Sequence, residues 1–234
     1  MPKTRSGVAY VVRESTRAKR VIIKVRMSSD LEVVVPIGFA LDRLPEILDR
    51  RTKWIDTQRK RFREMKRAFR PKRIVLDAIG QVWTVEYIGD ARKGVSLEEG
   101  EGTHLTLRGQ VDDLKLVVKA LNAWTHKKAR SVLGKWLLNL SNELSIPFNK
   151  LAVRRQKTLW GSCSAKKNIN LNRNLLFLTT AMARYVLIHE LCHVDQLNHS
   201  DEFWDLLERH VKNGRSMSAK TRQAASKVPD WATA

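Results

Sequence analysis

The chain has 234 residues, 43% of them hydrophobic and 29% charged, with a formal net charge of +20. That apolar content excludes a disordered chain, and no segment approaches the ~20 apolar residues of a membrane span. Two Cys, 163 and 192, make no disulfide framework, and the first residues lack the apolar run of a signal peptide, so a cytoplasmic protein without a membrane partner is expected.

Val8–Val12, Arg20–Val25 and Leu31–Val35 are β-branched runs of strand length, and Pro36 and Gly38 end the third. From Asp42 to about Phe69 apolar residues recur at helical spacing: Leu44, Ile47, Leu48, Trp54, Ile55, Phe62, Met65 and Phe69. The opposite face carries most of a basic cluster, since residues 50–73 hold 12 Lys/Arg against 2 Asp/Glu. Such a field attracts nucleic acid or acidic partners; the plainer reading is a solvated basic face.

Pro71 breaks this helix. Ile74–Ala78 and Gln81–Ile88 predict a hairpin about Gly80, residues 89–102 a glycine-rich loop, and His104–Leu107 one more strand. Asp112 or Asp113 can cap a helix running to about Leu144, with Val117, Leu121, Trp124, Val132, Trp136, Leu140 and Leu144 as its apolar stripe. Ala152–Leu159 and Asn168–Asn172 are expected strands joined through Trp160-Gly-Ser-Cys-Ser. Thr179 or Thr180 starts another helix, and Ser200 or Asp201 caps a last one holding Phe203, Trp204, Leu207 and Val211.

Residues 189–199 read His-Glu-Leu-Cys-His-Val-Asp-Gln-Leu-Asn-His. His189 and His193 stand four apart, so a helix puts them on one face, where both can reach one zinc ion at ~2.0–2.1 Å. His199 is the natural third ligand, and three protein ligands leave the fourth position open for chemistry. The helix must then end between His193 and His199; Asn198, which tolerates left-handed geometry, is a candidate bend. Glu190 is the expected general base, taking a proton from the attacking water. Tyr185, Asn170 and Asn172 are candidate oxyanion donors, and Asp195 or Asp205 a candidate partner for a ligand imidazole. Cys192 and Cys163 read as buried rather than as ligand or nucleophile.

The succession Trp160-Gly-Ser-Cys-Ser, Ile169-Asn-Leu-Asn, His189-Glu-Leu-Cys-His and Asn198-His-Ser-x-x-Phe-Trp resembles the YgjP-like metal-dependent hydrolases, relatives of gluzincin and SprT-like metallopeptidases. The resemblance runs from about Val8 to Val211. It implies an α+β, zincin-like core, with the active-site helix against a small antiparallel sheet. It also implies zinc on His189, His193 and His199, with Glu190 as base. Relatives carry Arg before Trp-Gly-Ser-Cys where this chain has Leu159, and Arg154 or Arg155 is the expected replacement in substrate binding. The expected organisation is a β-rich region 1–110 with the basic helix 42–69, a catalytic region 111–212 and a loose basic tail 213–234. Peptide hydrolysis is the first expectation, with an extended substrate paired to the strand around Ile169–Asn172. The family's association with pyrimidine nucleotides makes a nucleoside triphosphate pyrophosphatase the second. A DNA-associated SprT-like protease tethered through residues 50–73 is the third.

Overall fold

The computed structural model describes residues 7, 9–25, 31–156 and 158–234. Val8, the expected start of the first strand, and the turn 26–30 lie outside them. The chain forms two compact units, 1–70 and 71–234.

In the first unit, strands β1 (Tyr10–Ser15), β2 (Ile22–Val25) and β3 (Leu31–Pro36) form a sheet of order β1-β3-β2. β3 runs parallel to β1 and antiparallel to β2. Tyr10, Leu31, Val33 and Val35 form a buried core with Leu44 and Leu48 of α1 (Leu44–Asp49) and Ile55 of α2 (Thr52–Phe69). The expected single helix from Asp42 is thus two. Arg51 leaves helical geometry, and the Thr52 hydroxyl donates to the Asp49 carbonyl at 2.9 Å, satisfying an α1 end group. Of α2 only Ile55 is fully buried; Lys53, Lys60, Arg61, Arg63 and Arg67 are exposed, and so is Trp54.

The second unit opens with β4 (Arg73–Leu76), β5 (Gln81–Gly89), β6 (Val95–Glu99) and β7 (His104–Gly109), in the order β4-β5-β7-β6. Gly80, at φ 61°, closes the expected β4–β5 hairpin in a conformation that favours glycine. β6 lies inside the stretch expected as a loop and pairs antiparallel with β7. The long helix α3 (Leu114–Leu144) starts at Asp113, whose carboxylate accepts from the Lys115 and Leu116 amides. Its buried stripe passes through Leu133 and Leu137, leaving Val132 and Trp136 half-buried. Trp124 of α3 meets Trp83 of β5 edge to face at 5.3 Å and donates to Glu99 of β6. These contacts tie the four-stranded sheet to the region beyond it, so the boundary falls at Arg70/Pro71 and not at 110/111.

A second sheet carries the site: β8 (Lys150–Arg154), β9 (Gly161–Cys163) and β10 (Asn168–Asn172), in the order β8-β10-β9. β10 is parallel to β8 and antiparallel to β9, so this sheet is mixed where an antiparallel one was expected. Against it packs α4 (Thr180–Cys192), capped by the Thr179 hydroxyl accepting from the Met182 amide. Leu187 and Leu191 fill its core side. Then follow α5 (Asp201–His210), α6 (Gly214–Gln223) and α7 (Asp230–Thr233). The last twenty residues are not loose. Trp231 is buried edge to face against Phe177, and the buried Arg173 donates to the carbonyls of Asn122 and Ala232. The whole is an α+β fold. Among the described residues no helix is long and apolar enough to cross a membrane.

Candidate active site

α4 delivers His189 and ends at Cys192, with His193 as its C-cap. The chain then turns through hydrogen bonds from the Asp195 and Gln196 amides to the Cys192 carbonyl. Asn198 takes no part as a left-handed bend, since the positive-φ residues other than glycine are Ser145, Lys167 and Asn213. The turn returns His199 to the other two imidazoles. His199 Nε2 lies 3.1 Å and His193 Nε2 3.2 Å from His189 Nε2, and the three ligand atoms fall within 4.8 Å of one another.

These contacts do not make a hydrogen-bonded chain. His193 Nδ1 lies 2.8 Å from the Gln196 carbonyl, which only accepts, so Nδ1 carries the proton and Nε2 offers a lone pair. His189 Nε2 has one proton or one lone pair and faces two such neighbours. A shared cation satisfies all three. Bonds of ~2.0–2.1 Å to a tetrahedral ion would hold nitrogens ~3.3–3.4 Å apart, close to the spacing observed. Burial, then the neighbouring imidazoles, lowers His189 to about 3, so it is neutral and able to ligate at neutral pH.

Supporting groups fix the rings. The Tyr185 hydroxyl lies 3.2 Å from His189 Nδ1 and hydrogen-bonds Ser218 of α6. Phe203 of α5, fully buried, stacks on His193 at 4.5 Å and meets His189 and His199 edge-on. The expected acidic partner is absent from these roles: Asp195 pairs instead with Lys167 at 3.7 Å, while a carbonyl and a phenol hold the rings.

Glu190 is 4% exposed, and its Oε2 has no hydrogen-bond partner. Burial raises it to about 8. Its carboxyl lies against Gly161 of β9, where a Cβ would fall 2.5 Å from Glu190 Oε1. The glycine of Trp-Gly-Ser-Cys is therefore the space that Glu190 occupies. Burial raises Cys163 to about 11, with Glu190 adding to it, and burial raises Cys192 to about 12; neither is a thiolate nucleophile.

A cavity of about 320 Å³ opens beside His189, His199 and Glu190. Tyr185 lines it, but with its hydroxyl engaged by His189. Asn172 lines it too, with its amide committed to the carbonyls of Gln156 and Leu159, both at 2.8 Å; it holds the loop before β9 in place. Asn170, Arg154 and Arg155 stand outside the cavity lining. Asn170 bridges Arg154 and Ser162, and Arg155 donates to the Ala234 carbonyl. The opposite wall comes from the tail: Ser218, Thr221, Arg222, Ala225, Val228 and Thr233. Sequence reasoning missed this wall, because one buried Trp in a polar segment was its only signal.

A cluster of three neutral imidazoles beside a buried carboxyl, on an α+β scaffold, is the apparatus of a metal-dependent hydrolase. The chain belongs to the YgjP-like family, described as YgjP-like, metallopeptidase domain, which it matches over residues 19–224. Among solved structures it is similar to the metallopeptidase zymogen abylysin of Pyrococcus abyssi, at 22% identity and TM-score 0.36, over 40% of this chain and 94% of that one. It is likewise similar to the metallopeptidase zymogen jannalysin of Methanocaldococcus jannaschii, at 21% identity and TM-score 0.34, over 38% of this chain and 93% of that one. No curated protein matches the chain.

Proposed function

We propose that the protein is a zinc metallopeptidase in which Glu190 is the general base. The observation that carries this reading is the joining of three converging Nε2 atoms to a buried, unpartnered Glu190 carboxylate oxygen. Three imidazoles suit zinc. A zinc ion held there supplies Lewis acidity toward a carbonyl and makes water nucleophilic near neutral pH. Glu190 takes the proton from the attacking water and returns it to the leaving amine. Tyr185 and the Gln196 carbonyl keep the rings of His189 and His193 in the ligating tautomer.

Two features favour a peptide over a nucleotide. β9 is an edge strand beside α4 with one side unpaired, as an extended peptide needs. β10, expected in that role, lies between β8 and β9 and has no free edge. Among the described residues lining the cavity, Arg222 is the one Lys or Arg, few cations for a triphosphate. The test is cleavage of a pooled peptide library, followed by mass spectrometry, before chelation, after it and after zinc is restored. Cleavage that disappears and returns supports the reading; cleavage indifferent to chelation refutes it. The exposed basic residues of α2 support an additional nucleic-acid tether, independent of Glu190.

A further inference from the structure

We infer that Asn174, Thr221 and Arg222 form a subsite for an acidic side chain of the peptide, next to the scissile bond. This rests on the peptidase reading and adds the substrate class. Asn174 and Thr221 are 5% and 3% exposed, and both line the cavity. Their polar side-chain atoms are left over from folding. The Asn174 amide N–H is taken by Asn172 and the Thr221 carbonyl by Trp160 Nε1, yet Asn174 Oδ1 and Thr221 Oγ1 have no partner. Unpaired buried polar atoms are rare because each costs ~1–3 kcal/mol. Two on one cavity wall are explained if a ligand completes them.

The charge comes from Arg222, on the same wall. It is exposed, it makes no ion pair among the described residues, and its field reaches Tyr185 at the imidazole end. A carboxylate meets this set: Arg222 gives a charge-assisted bond, and the Thr221 hydroxyl donates to the same group. Asn174 Oδ1 accepts a backbone N–H, which a peptide supplies. A triphosphate brings chiefly acceptors and would leave that oxygen unpaired. Val186, Ala225 and Val228 give apolar surface for the methylenes of Asp or Glu.

The experiment compares kcat/KM of the zinc-loaded protein on matched peptides differing only as Glu against Gln, or Asp against Asn, at each position flanking the cleaved bond. All peptides have amidated C-termini. At one flanking position the acid is expected to be preferred ~10–100-fold, the range of one charge-assisted pair. Arg222→Ala should bring that ratio to about 3 or below, and Arg222→Glu should turn the preference toward Lys. Thr221→Val, nearly isosteric, should lower the ratio several-fold, with the circular dichroism spectrum unchanged as its folding control. Cleavage with no acid preference, or a preference that survives Arg222→Ala, overturns the subsite and leaves the peptidase. A preference seen only with free C-termini overturns the side-chain assignment. If no peptide is cleaved, the subsite and the peptidase reading fall together.

Discussion

Replacing Glu190 by Gln should abolish turnover and make the metal-free protein more stable. The carboxyl is 4% exposed, with one oxygen unpartnered, and burial raises it from 4.5 to about 8. The unfolded chain ionises it near 4.5, so this residue's stabilising balance is complete below that pH and is lost as pH rises through 8. At pH 7 the wild type carries a penalty of ~3 kcal/mol from this one group, an upper bound because water entering the cavity relieves it. Gln keeps the shape without the titration. The metal-free variant should therefore melt roughly 3–10 °C above metal-free wild type at pH 7–8. The difference should shrink toward zero near pH 4.5. The His189 titration acts in both proteins and cancels. A bound cation favours the charged carboxylate, so the difference should also shrink when zinc is present. Differential scanning calorimetry from pH 4.5 to 8, with and without chelator, reads all of this, and kcat should fall ~10²–10⁴-fold. A variant less stable than wild type at pH 7.5 without metal, or equally stable at every pH, would refute the reasoning.

Gly161→Ala should push the Glu190 carboxyl aside and cut kcat at least ~10-fold while zinc content stays at wild type; unchanged kcat would contradict the close approach. Tyr185→Phe removes the partner of His189 Nδ1 and should weaken zinc affinity ~10–100-fold in a chelator competition. Trp231→Ala should destabilise the protein by ~3–5 kcal/mol in urea denaturation, whereas a loose tail would give almost nothing. Binding of a DNA duplex should fall steeply between 50 and 200 mM salt, equally in wild type and Glu190→Gln; absence of binding at low salt ends the tether reading.

The parts that announced themselves in the sequence were local. A cap and a periodic stripe marked α3 and α4, and the spacing of His189, His193 and His199 foretold their meeting. What stayed hidden depends on groups without sequence identity or on distant partners. The carbonyl of Gln196, which orients His193, belongs to every residue type. β9, three residues of Gly-Ser-Cys, is too short to show alternation, and its place at the sheet edge depends on β8 pairing with β10 across it in the chain. β6 carries only Val95 and Leu97 as apolar residues within a glycine-rich stretch. Arg154 and Arg155 were drawn toward the site by adjacency to the Trp-Gly-Ser-Cys motif, while the cation on the cavity wall, Arg222, comes from a segment sixty residues later.

The measurement that bears most directly on the central claim sets zinc-loaded wild type and Glu190→Gln side by side on a peptide library and on a panel of nucleoside triphosphates. The account predicts peptide cleavage by wild type, its loss in the variant at undiminished zinc content, and no pyrophosphate release by either. Pyrophosphate release that depends on Glu190, with the peptides left intact, would contradict it.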